Sequence, residues 1–283
     1  MIKELCPAKV NLHLTVLRKR EDGYHDIATL MQKVSLYDEM TFSPLPGGII
    51  IKCPGSSLPE DEGNIVFRAA RAFFSYTAYN KGVTITIKKK IPLASGLGGG
   101  SSNAATALLV LNRMTGSGCS GKELLQIGKT LGADVPFFIY SKTAAWATGI
   151  GDCLHEAPDL PKLWFLLVNP GFPLSTETIY AGLNLRLTKG PINYSIPRFD
   201  IRPQSNLTKG LKNDLEEVTL TLHPFLDQLK EFLLSCGALG SLMSGSGPTV
   251  FGIFETEEQA RKAKGALIKK RWEKLGIYVA HSL

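Results

Sequence analysis

The alternation of apolar and polar residues predicts strands at several places along the chain. In residues 83–91, apolar side chains occupy every second position from Val83 to Ile87, as expected for a strand with one buried face. Residues 7–17 alternate in a similar way. Residues 161–170 form a continuous apolar run, which is typical of a fully buried strand.

Helical spacing of apolar residues predicts three helices in the first half of the chain. Residues 63–79 are amphipathic. A second helix follows a run of glycines, with Ser101 or Ser102 expected as its N-cap and Gly116 as its end. A third is predicted to begin after Ser120 and to stop at Gly132, where Glu123 would complete a capping box with Ser120.

The second half of the chain alternates between strands and helices. Strands are predicted at 164–169, 239–243, 249–254 and 277–282. Helices are predicted near 175–183 and 206–220, and at 224–236 and 257–273. Apart from the extra helices this order is βαββαβ, the split-βαβ arrangement of a ferredoxin-like unit. We therefore predict an α+β protein with two domains, residues 1–158 and 159–283, divided near 155–162.

The glycines at 96–100 lie between a predicted strand and the first turn of a helix. A helix start carries unpaired N–H groups and a partial positive charge, and glycine lets an anion approach the backbone, so we expect a phosphate site rather than a merely flexible loop. The loop is not a Walker motif, because Glu123 stands where the leading glycine before Gly128-Lys129-Thr130 is required. It is not a dinucleotide fingerprint either, because Ser101 occupies the third glycine position.

Composition bounds the class of protein. The chain has 283 residues, of which 44% are hydrophobic. No apolar run approaches a membrane span, and the first ten residues lack the apolar core of a signal peptide. The five cysteines are widely separated and odd in number, which argues against a disulfide set and favours the cytoplasm. Their spacing also predicts no dedicated metal site.

The net charge of +7 is compatible with nucleic acid or with a small polyanion as the partner. Positive charge is concentrated at 261–274, where a helix is predicted, and we interpret it as a solvated face. We therefore expect neither nucleic acid nor a membrane as a partner.

Two isolated polar residues in apolar segments are candidates for chemistry. Asp134 lies in the apolar segment 131–138, where it is either a residue of a helix-end turn, a member of a buried ion pair, or a general base. Lys9 interrupts an apolar strand, and the two-residue repeat places Asn11 and His13 on the same side. Three aligned polar groups indicate either an exposed edge or a site.

Two further segments combine glycine with polar or aromatic residues. Asp22-Gly23 is predicted to form a tight turn, after which Tyr24 and His25 emerge. The run Ser244–Pro248 lies between two predicted strands. It is either a plain hairpin loop or a second set of backbone N–H groups near bound phosphates.

Three motifs resemble those of the GHMP kinase superfamily: PAKVNLHL at 7–14, PLASGLGGGSSNAA at 92–105 and LMSGSGPTVFGIF at 242–254. DGYH at 22–25 and LGADVPFF at 131–138 resemble, more specifically, the branch that acts on 4-diphosphocytidyl-2-C-methyl-D-erythritol. The resemblance covers nearly the whole chain and is weakest at about 185–210. It implies an N-terminal domain like ribosomal protein S5 domain 2, a ferredoxin-like C-terminal domain, and a monomer or weak homodimer.

The resemblance also implies a reaction, phosphorylation by ATP of the substrate's 2-hydroxyl in the non-mevalonate isoprenoid pathway, with Mg²⁺ carried by ATP. Asp134 matches the proposed base and Lys9 its charged partner. Asn64 matches a nucleotide contact. Substrate contacts are implied for Asn11, Tyr24, His25, Ile150, Thr176 and Tyr180, with the two tyrosines stacking on the cytosine ring. The phosphate loop would comprise Pro92, Leu93, Ala94, Ser95, Gly96, Leu97, Gly98, Gly99, Gly100, Ser101 and Ser102.

Two alternatives stay open. One is another GHMP kinase, acting on homoserine or mevalonate, which would have no aromatic ring to hold between Tyr24 and Tyr180. The other is a non-enzymatic nucleotide-binding or RNA-binding module on the ferredoxin-like half. RNA-binding versions of that topology expose aromatic residues on central strands, whereas Phe251 and Phe254 lie in a strand with the composition of a core.

Overall fold

The chain forms two compact units, each assembled from separate stretches of sequence. The computed structural model describes residues 1–183, 209–270, 272 and 275–283. The first unit contains Met1–Ala8, Tyr37–Ile91 and Gly98–Lys142, and the second contains Lys9–Leu36, Pro92–Leu97 and Thr143–Leu283. The predicted boundary between residues 158 and 159 lies inside the second unit, and that division of the chain stays a prediction.

Two long strands, β1 (Ile2–Lys19) and β2 (His25–Leu45), contribute residues to both units. In the first unit, β2 pairs antiparallel with β4 (Gly82–Lys88), and β4 pairs parallel with β3 (Ile49–Lys52). The alternation predicted for β4 is confirmed, because its apolar positions are buried. The strand ends at Lys88, three residues earlier than predicted.

Four helices complete the first unit: α1 (Ile65–Thr77), α2 (Gly99–Thr115), α3 (Gly121–Leu131) and α4 (Val135–Ile139). The predicted capping box of α3 is confirmed, with both reciprocal hydrogen bonds between Ser120 and Glu123 present. The predicted N-cap of α2 is wrong. The helix begins at Gly99 with Gly98 as its cap, so Ser101 and Ser102 lie inside the first turn.

The described strands of the second unit form two systems. The first half of β2 pairs with β5 (Ala144–Thr148), which pairs with β6 (Cys153–Glu156), and β1 pairs parallel with β8 (Lys212–Asn213). The second system is a four-stranded antiparallel sheet of β7 (Trp164–Asn169), β9 (Gly240–Met243), β10 (Val250–Phe254) and β11 (Gly276–His281). Its spatial order, β11-β7-β10-β9, is the order expected from the predicted βαββαβ sequence.

Helices pack on this sheet through an apolar core that includes Leu229, Phe254 and Leu267. They are α5 (Thr176–Ala181), α6 (Glu216–Leu222), α7 (Phe225–Ser235) and α8 (Glu257–Lys269). The Thr256–Gln259 capping pair of α8 is confirmed.

The helix predicted near 206–220 is partly wrong, and residues 206–208 lie outside the described residues. Lys212 and Asn213 form strand β8 instead, because the Asn213 amide donates to the carbonyls of Met243 and Gly245 at 2.8 Å each. These bonds tie the segment to the end of β9 and interrupt the predicted helix: Lys209 and Gly210 are helical, and α6 begins at Glu216.

Candidate active site

The glycine-rich loop enters helix α2 in a left-handed conformation. Gly98 has a φ of +68°, which glycine adopts at little cost, and it caps the helix without a side-chain hydrogen bond. The helical hydrogen-bond ladder begins where the Ser102 N–H donates to the Gly98 carbonyl at 2.9 Å. The amides of Gly99, Gly100 and Ser101 precede that ladder, so this start of a 17-residue helix is suited to an anion.

The Ser102 hydroxyl is an unusual feature of this first turn. It is fully buried, and no hydrogen-bond partner for it is found within the part of the chain that the structure describes. A buried hydroxyl without a partner costs free energy, on the order of 1–3 kcal/mol. A bound group that accepts from or donates to it would remove that cost.

The preceding part of the loop, residues 92–97, belongs to the second unit and packs on the second glycine-rich loop, residues 244–248. The Gly96 carbonyl accepts a hydrogen bond from the Ser244 hydroxyl at 2.9 Å. Gly96 has a φ of +77°, and a Cβ added there would lie 2.0 Å from the Ser244 carbonyl oxygen. The run 244–248 is thus a hairpin loop that also supports the first loop.

Lys9 and Asn11 form a buried polar pair in the second unit. The Lys9 ammonium donates to Asn11 Oδ1 at 2.6 Å, and Asn11 Nδ2 donates to the Thr29 hydroxyl at 2.8 Å. Lys9 is 4% exposed, which excludes the solvated strand edge that the sequence left open. The Cβ of an alanine at Gly245 would lie 3.4 Å from the ammonium, so the second loop closely approaches this lysine.

His13, the third residue on that face, has a different environment. Its ring nitrogens bond the Gly210 carbonyl and the Thr15 hydroxyl, each at 2.9 Å. Burial lowers the pKa of His13 below its usual value. The polar face predicted from the two-residue repeat is therefore buried along its length, with Lys9 and Asn11 joined and His13 bound elsewhere.

Asp134 lies between α3 and α4 in the first unit. It occupies the N-cap position of α4 and is partly exposed, while Val135 and Phe137 behind it are buried. Its side chain makes no capping hydrogen bond to α4. Lys9 belongs to the other unit, and the pairing of Lys9 with Asp134 stays a prediction.

Aromatic side chains gather at the β1–β2 turn of the second unit. The predicted turn is confirmed: Gly23 has a φ of +86°, and the Arg20 N–H donates to the Tyr24 carbonyl at 2.8 Å. Tyr24 is 61% exposed. The rings of His25 and Tyr180 lie 4.9 Å apart with an interplanar angle of 32°, so two predicted substrate contacts are brought together.

Electrostatics favour a neutral imidazole at this turn. Burial, and then the positive charge of Lys19, lower the pKa of His25 below its usual value. A neutral ring has one donor and one acceptor nitrogen, which is the complement that a nucleobase edge requires.

The remaining predicted contacts lie around this region or apart from it. The Thr176 hydroxyl lies 2.8 Å from the Ser246 hydroxyl, so α5 meets the second glycine-rich loop there. Ile150 is partly exposed in the turn after β5. Asn64 is buried and caps α1, and its amide donates to the Pro59 carbonyl at 2.7 Å. Its contact with a nucleotide stays a prediction.

Three polar residues that contact the predicted site segments were not predicted as site residues. Ser244 and Thr29 hold Asn11, and Asp38 accepts hydrogen bonds at the entrance of the first loop. In the sequence, Ser244 is distinguished only by its place in the glycine-rich run 244–248. Thr29 and Asp38 carry no local signal, because each is one polar residue in an alternating strand.

Neither a metal-binding cluster nor a membrane-spanning helix is found in residues 1–183, 209–270, 272 and 275–283. No three or more His, Cys, Asp or Glu side chains there are grouped as a metal site would require. No helix in the same ranges combines the length and the apolar character needed to cross a membrane.

Comparison with known families defines the class of protein. The model of the GHMP kinases N terminal domain matches residues 64–142, and that of the GHMP kinases C terminal matches residues 201–274. The two glycine-rich loops and the mixed α and β content therefore belong to a kinase built from two GHMP domains.

Relatives narrow the class. A 4-diphosphocytidyl-2-C-methyl-D-erythritol kinase of Syntrophus aciditrophicus is 61% identical over 269 residues, 95% of each chain. The enzyme of the same name from Syntrophotalea carbinolica is 52% identical over 92% of this chain and 91% of that one. The chain belongs to the family of 4-diphosphocytidyl-2-C-methyl-D-erythritol kinases.

Solved structures agree with this assignment. A crystal structure of 4-(cytidine 5'-diphospho)-2C-methyl-D-erythritol kinase is 31% identical, covers both chains in full and superposes with a TM-score of 0.78. A homoserine kinase from Cytophaga hutchinsonii covers all of this chain and 94% of its own, with a TM-score of 0.75 at 22% identity. The second likeness shows the fold alone.

Proposed function

We propose that this protein transfers the terminal phosphoryl group of ATP to the 2-hydroxyl of 4-diphosphocytidyl-2-C-methyl-D-erythritol. The observation that carries the proposal is the buried Lys9–Asn11 pair beneath the Gly245 loop. A buried ammonium held by an amide oxygen is a strong, fixed positive charge, which a phosphoryl-transfer site needs and a structural strand does not. The names of the relatives supply the identity of the acceptor.

Catalysis of phosphoryl transfer depends mainly on the positioning of the reactants and on the stabilisation of negative charge in the transition state. The amides of Gly99, Gly100 and Ser101 would hold the phosphates, within a loop that extends from Pro92 to Ser102. Lys9 would polarise the acceptor hydroxyl. Asp134 would accept its proton or orient it, because a loose transition state requires little early deprotonation.

Recognition of the cytidine end would fall to the β1–β2 turn. The neutral His25 ring would pair with the polar edge of cytosine, and Tyr24 and Tyr180 would stack on its faces. The existing contact between His25 and Tyr180 supports this role, because it already orients the imidazole beside an aromatic surface. Asn11, Thr176 and Ile150 would contact the rest of the substrate.

ATP would bring Mg²⁺ with it. The unpartnered Ser102 hydroxyl fits a role beside a metal–phosphate group, since it is a hard oxygen at a helix start. We also propose a cytoplasmic monomer or weak homodimer that binds neither nucleic acid nor membranes. We propose that residues 1–158 have a fold like that of ribosomal protein S5 domain 2, and that residues 159–283 have a ferredoxin-like fold.

A coupled ADP-release assay across a panel of alcohols tests the proposal. We expect turnover with the cytidylyl substrate, and none with homoserine, mevalonate or methylerythritol 4-phosphate. Equal turnover of homoserine or mevalonate would overturn the proposed acceptor. If micromolar protein retards generic RNA in a gel in a salt-dependent way and no ADP is released, the non-enzymatic RNA-binding module would be favoured instead.

A further inference from the structure

Asp38, on β2, is a carboxylate without any solvent exposure in the first unit. Its Oδ1 accepts hydrogen bonds from the N–H groups of Lys90 at 2.8 Å and Ile91 at 2.9 Å. Its Oδ2 accepts from the Lys89 ammonium and from Asn103 Nδ2, the latter at 3.0 Å. A buried charge is costly unless it is paired and fully hydrogen-bonded, and this one has both kinds of partner.

The four donors come from the two ends of the glycine-rich loop. Residues 89–91 connect β4 to the start of the loop. Asn103 lies on α2, the helix that follows the loop. The network is closed, because the Lys89 ammonium also donates to Asn103 Oδ1 at 3.2 Å. One carboxylate on a central strand therefore holds the entrance and the exit of the loop together.

The first turn of α2 lies directly against this network. A Cβ added at Gly99 would lie 3.1 Å from the Lys89 ammonium and 2.9 Å from Ile91 Cγ2. An ammonium beneath a helix N-terminus is unfavourable, because both are positive. Asp38 offsets that repulsion, so the pair allows the helix start to be packed tightly and in one position.

We propose that Asp38 and Lys89 are positioning residues, which fix the amides of the first turn of α2 for nucleotide phosphates. Neither residue need touch the reacting atoms. That the ligand is a nucleotide rests on the proposed function, whereas the effect on the loop does not. Loss of the network is expected to weaken nucleotide binding and to leave recognition of the alcohol unchanged.

The neighbouring residue on β2 offers a matched control. Glu39 pairs with Lys3 at 2.8 Å and Lys88 at 3.6 Å, near the surface. Exposed pairs of this kind contribute little to stability. Glu39→Gln therefore removes an ion pair from the same strand without touching the loop.

The test compares Lys89→Met, the charge-neutral double variant Asp38→Asn/Lys89→Met, and Glu39→Gln with the wild type. Steady-state kinetics give the KM for ATP and for the alcohol, and calorimetry gives the Kd for ADP. Hydrogen exchange of the ligand-free protein reports on peptides covering 91–102. For both network variants we expect a tenfold or greater rise in the KM for ATP and the Kd for ADP, a KM for the alcohol within about twofold, and faster exchange in 91–102. Glu39→Gln should change none of these.

A purely structural role would lower the unfolding temperature and leave the KM for ATP of the folded protein unchanged, and that result would overturn the proposal. So would an equal rise in both KM values. Asn103→Ala, which releases only α2 and leaves the ion pair, supplies the same readouts should the charge variants unfold. If the wild type fails to phosphorylate the cytidylyl substrate, the proposed function falls, while ADP binding and exchange still decide the role of Asp38.

Discussion

Replacement of Gly96 by alanine should disrupt the support between the two glycine-rich loops. Two effects add. A left-handed φ of +77° costs an L-residue about 1–2 kcal/mol. The new Cβ would also lie 2.0 Å from the Ser244 carbonyl oxygen, about 1 Å closer than atoms tolerate, so one loop must move.

The size of the second effect follows from ordinary packing energies. Overpacking of this kind costs about 1–3 kcal/mol, and loss of the hydrogen bond from the Ser244 hydroxyl to the Gly96 carbonyl adds about 1 kcal/mol. We therefore expect Gly96→Ala to lower the free energy of unfolding by about 3–6 kcal/mol. A displacement of about 1 Å in the phosphate loop should lower kcat/KM about a hundredfold.

Two other glycines separate the conformational cost from the clash. Gly118 has a φ of +67° but open space around its Cβ position, so Gly118→Ala should cost only the conformational part, about 1–2 kcal/mol. Gly121, at the start of α3, has open space and no positive φ, and its alanine variant should be neutral or slightly stabilising. Urea unfolding followed by tryptophan fluorescence, with kinetics on the folded proteins, measures all three. If Gly96→Ala is no less stable than Gly118→Ala and retains wild-type kcat/KM, the packing argument is wrong.

Three further predictions concern chemistry, recognition and pH. Asp134→Ala should keep ADP affinity in calorimetry and lose about a hundredfold in kcat; near-normal turnover would remove Asp134 from the mechanism. Tyr180→Ala should raise the KM for the cytidylyl substrate about tenfold, whereas Tyr180→Phe should restore it, and equal KM values for the two variants would contradict stacking. Burial lowers the pKa of Lys33 from 10.5 to about 8. Between these pH values the unfolded chain binds more protons than the folded chain. The contribution of Lys33 to the free energy of unfolding therefore rises as the pH increases from about 8 to 10.5. Lys33→Met should remove this pH dependence, so that the difference in unfolding free energy between variant and wild type changes by about 3 kcal/mol between pH 7 and pH 10.5. Urea titrations at several pH values measure it, and a difference independent of pH would contradict the prediction.

Elements governed by neighbouring residues were predictable from the sequence. The capping box of α3 depends on two residues three positions apart, and the alternation of β4 depends on a repeat of two. The strand order of the four-stranded sheet also followed, because a βαββαβ sequence leaves few arrangements with short connections. In each case the signal and the structure it specifies lie within one element or one connection.

Errors occurred where a distant segment decides the local conformation. Ser102 is a good N-cap by type, yet α2 begins at Gly99, because glycine at 98 adopts the left-handed cap and the loop is held at both ends by Asp38. Lys212 and Asn213 have no strand pattern of their own. They pair with β1, from which they are separated by about two hundred residues, and a two-residue window cannot report such a partner.

The same distinction between local patterns and distant contacts applies to the candidate site residues. Lys9 and Asn11 share one face because a strand repeats every two residues, so their pairing was accessible to sequence reasoning. The groups that fix them were not, because Ser244 reaches the Asn11 amide from 233 positions away. The role of a polar residue that positions another cannot be predicted from its sequence neighbours. A single serine or aspartate in a strand has the same local pattern whether it faces solvent or a loop. The two-residue repeat thus identifies residues that share a face, and the structure is needed to find those, such as Ser244, that hold them in place.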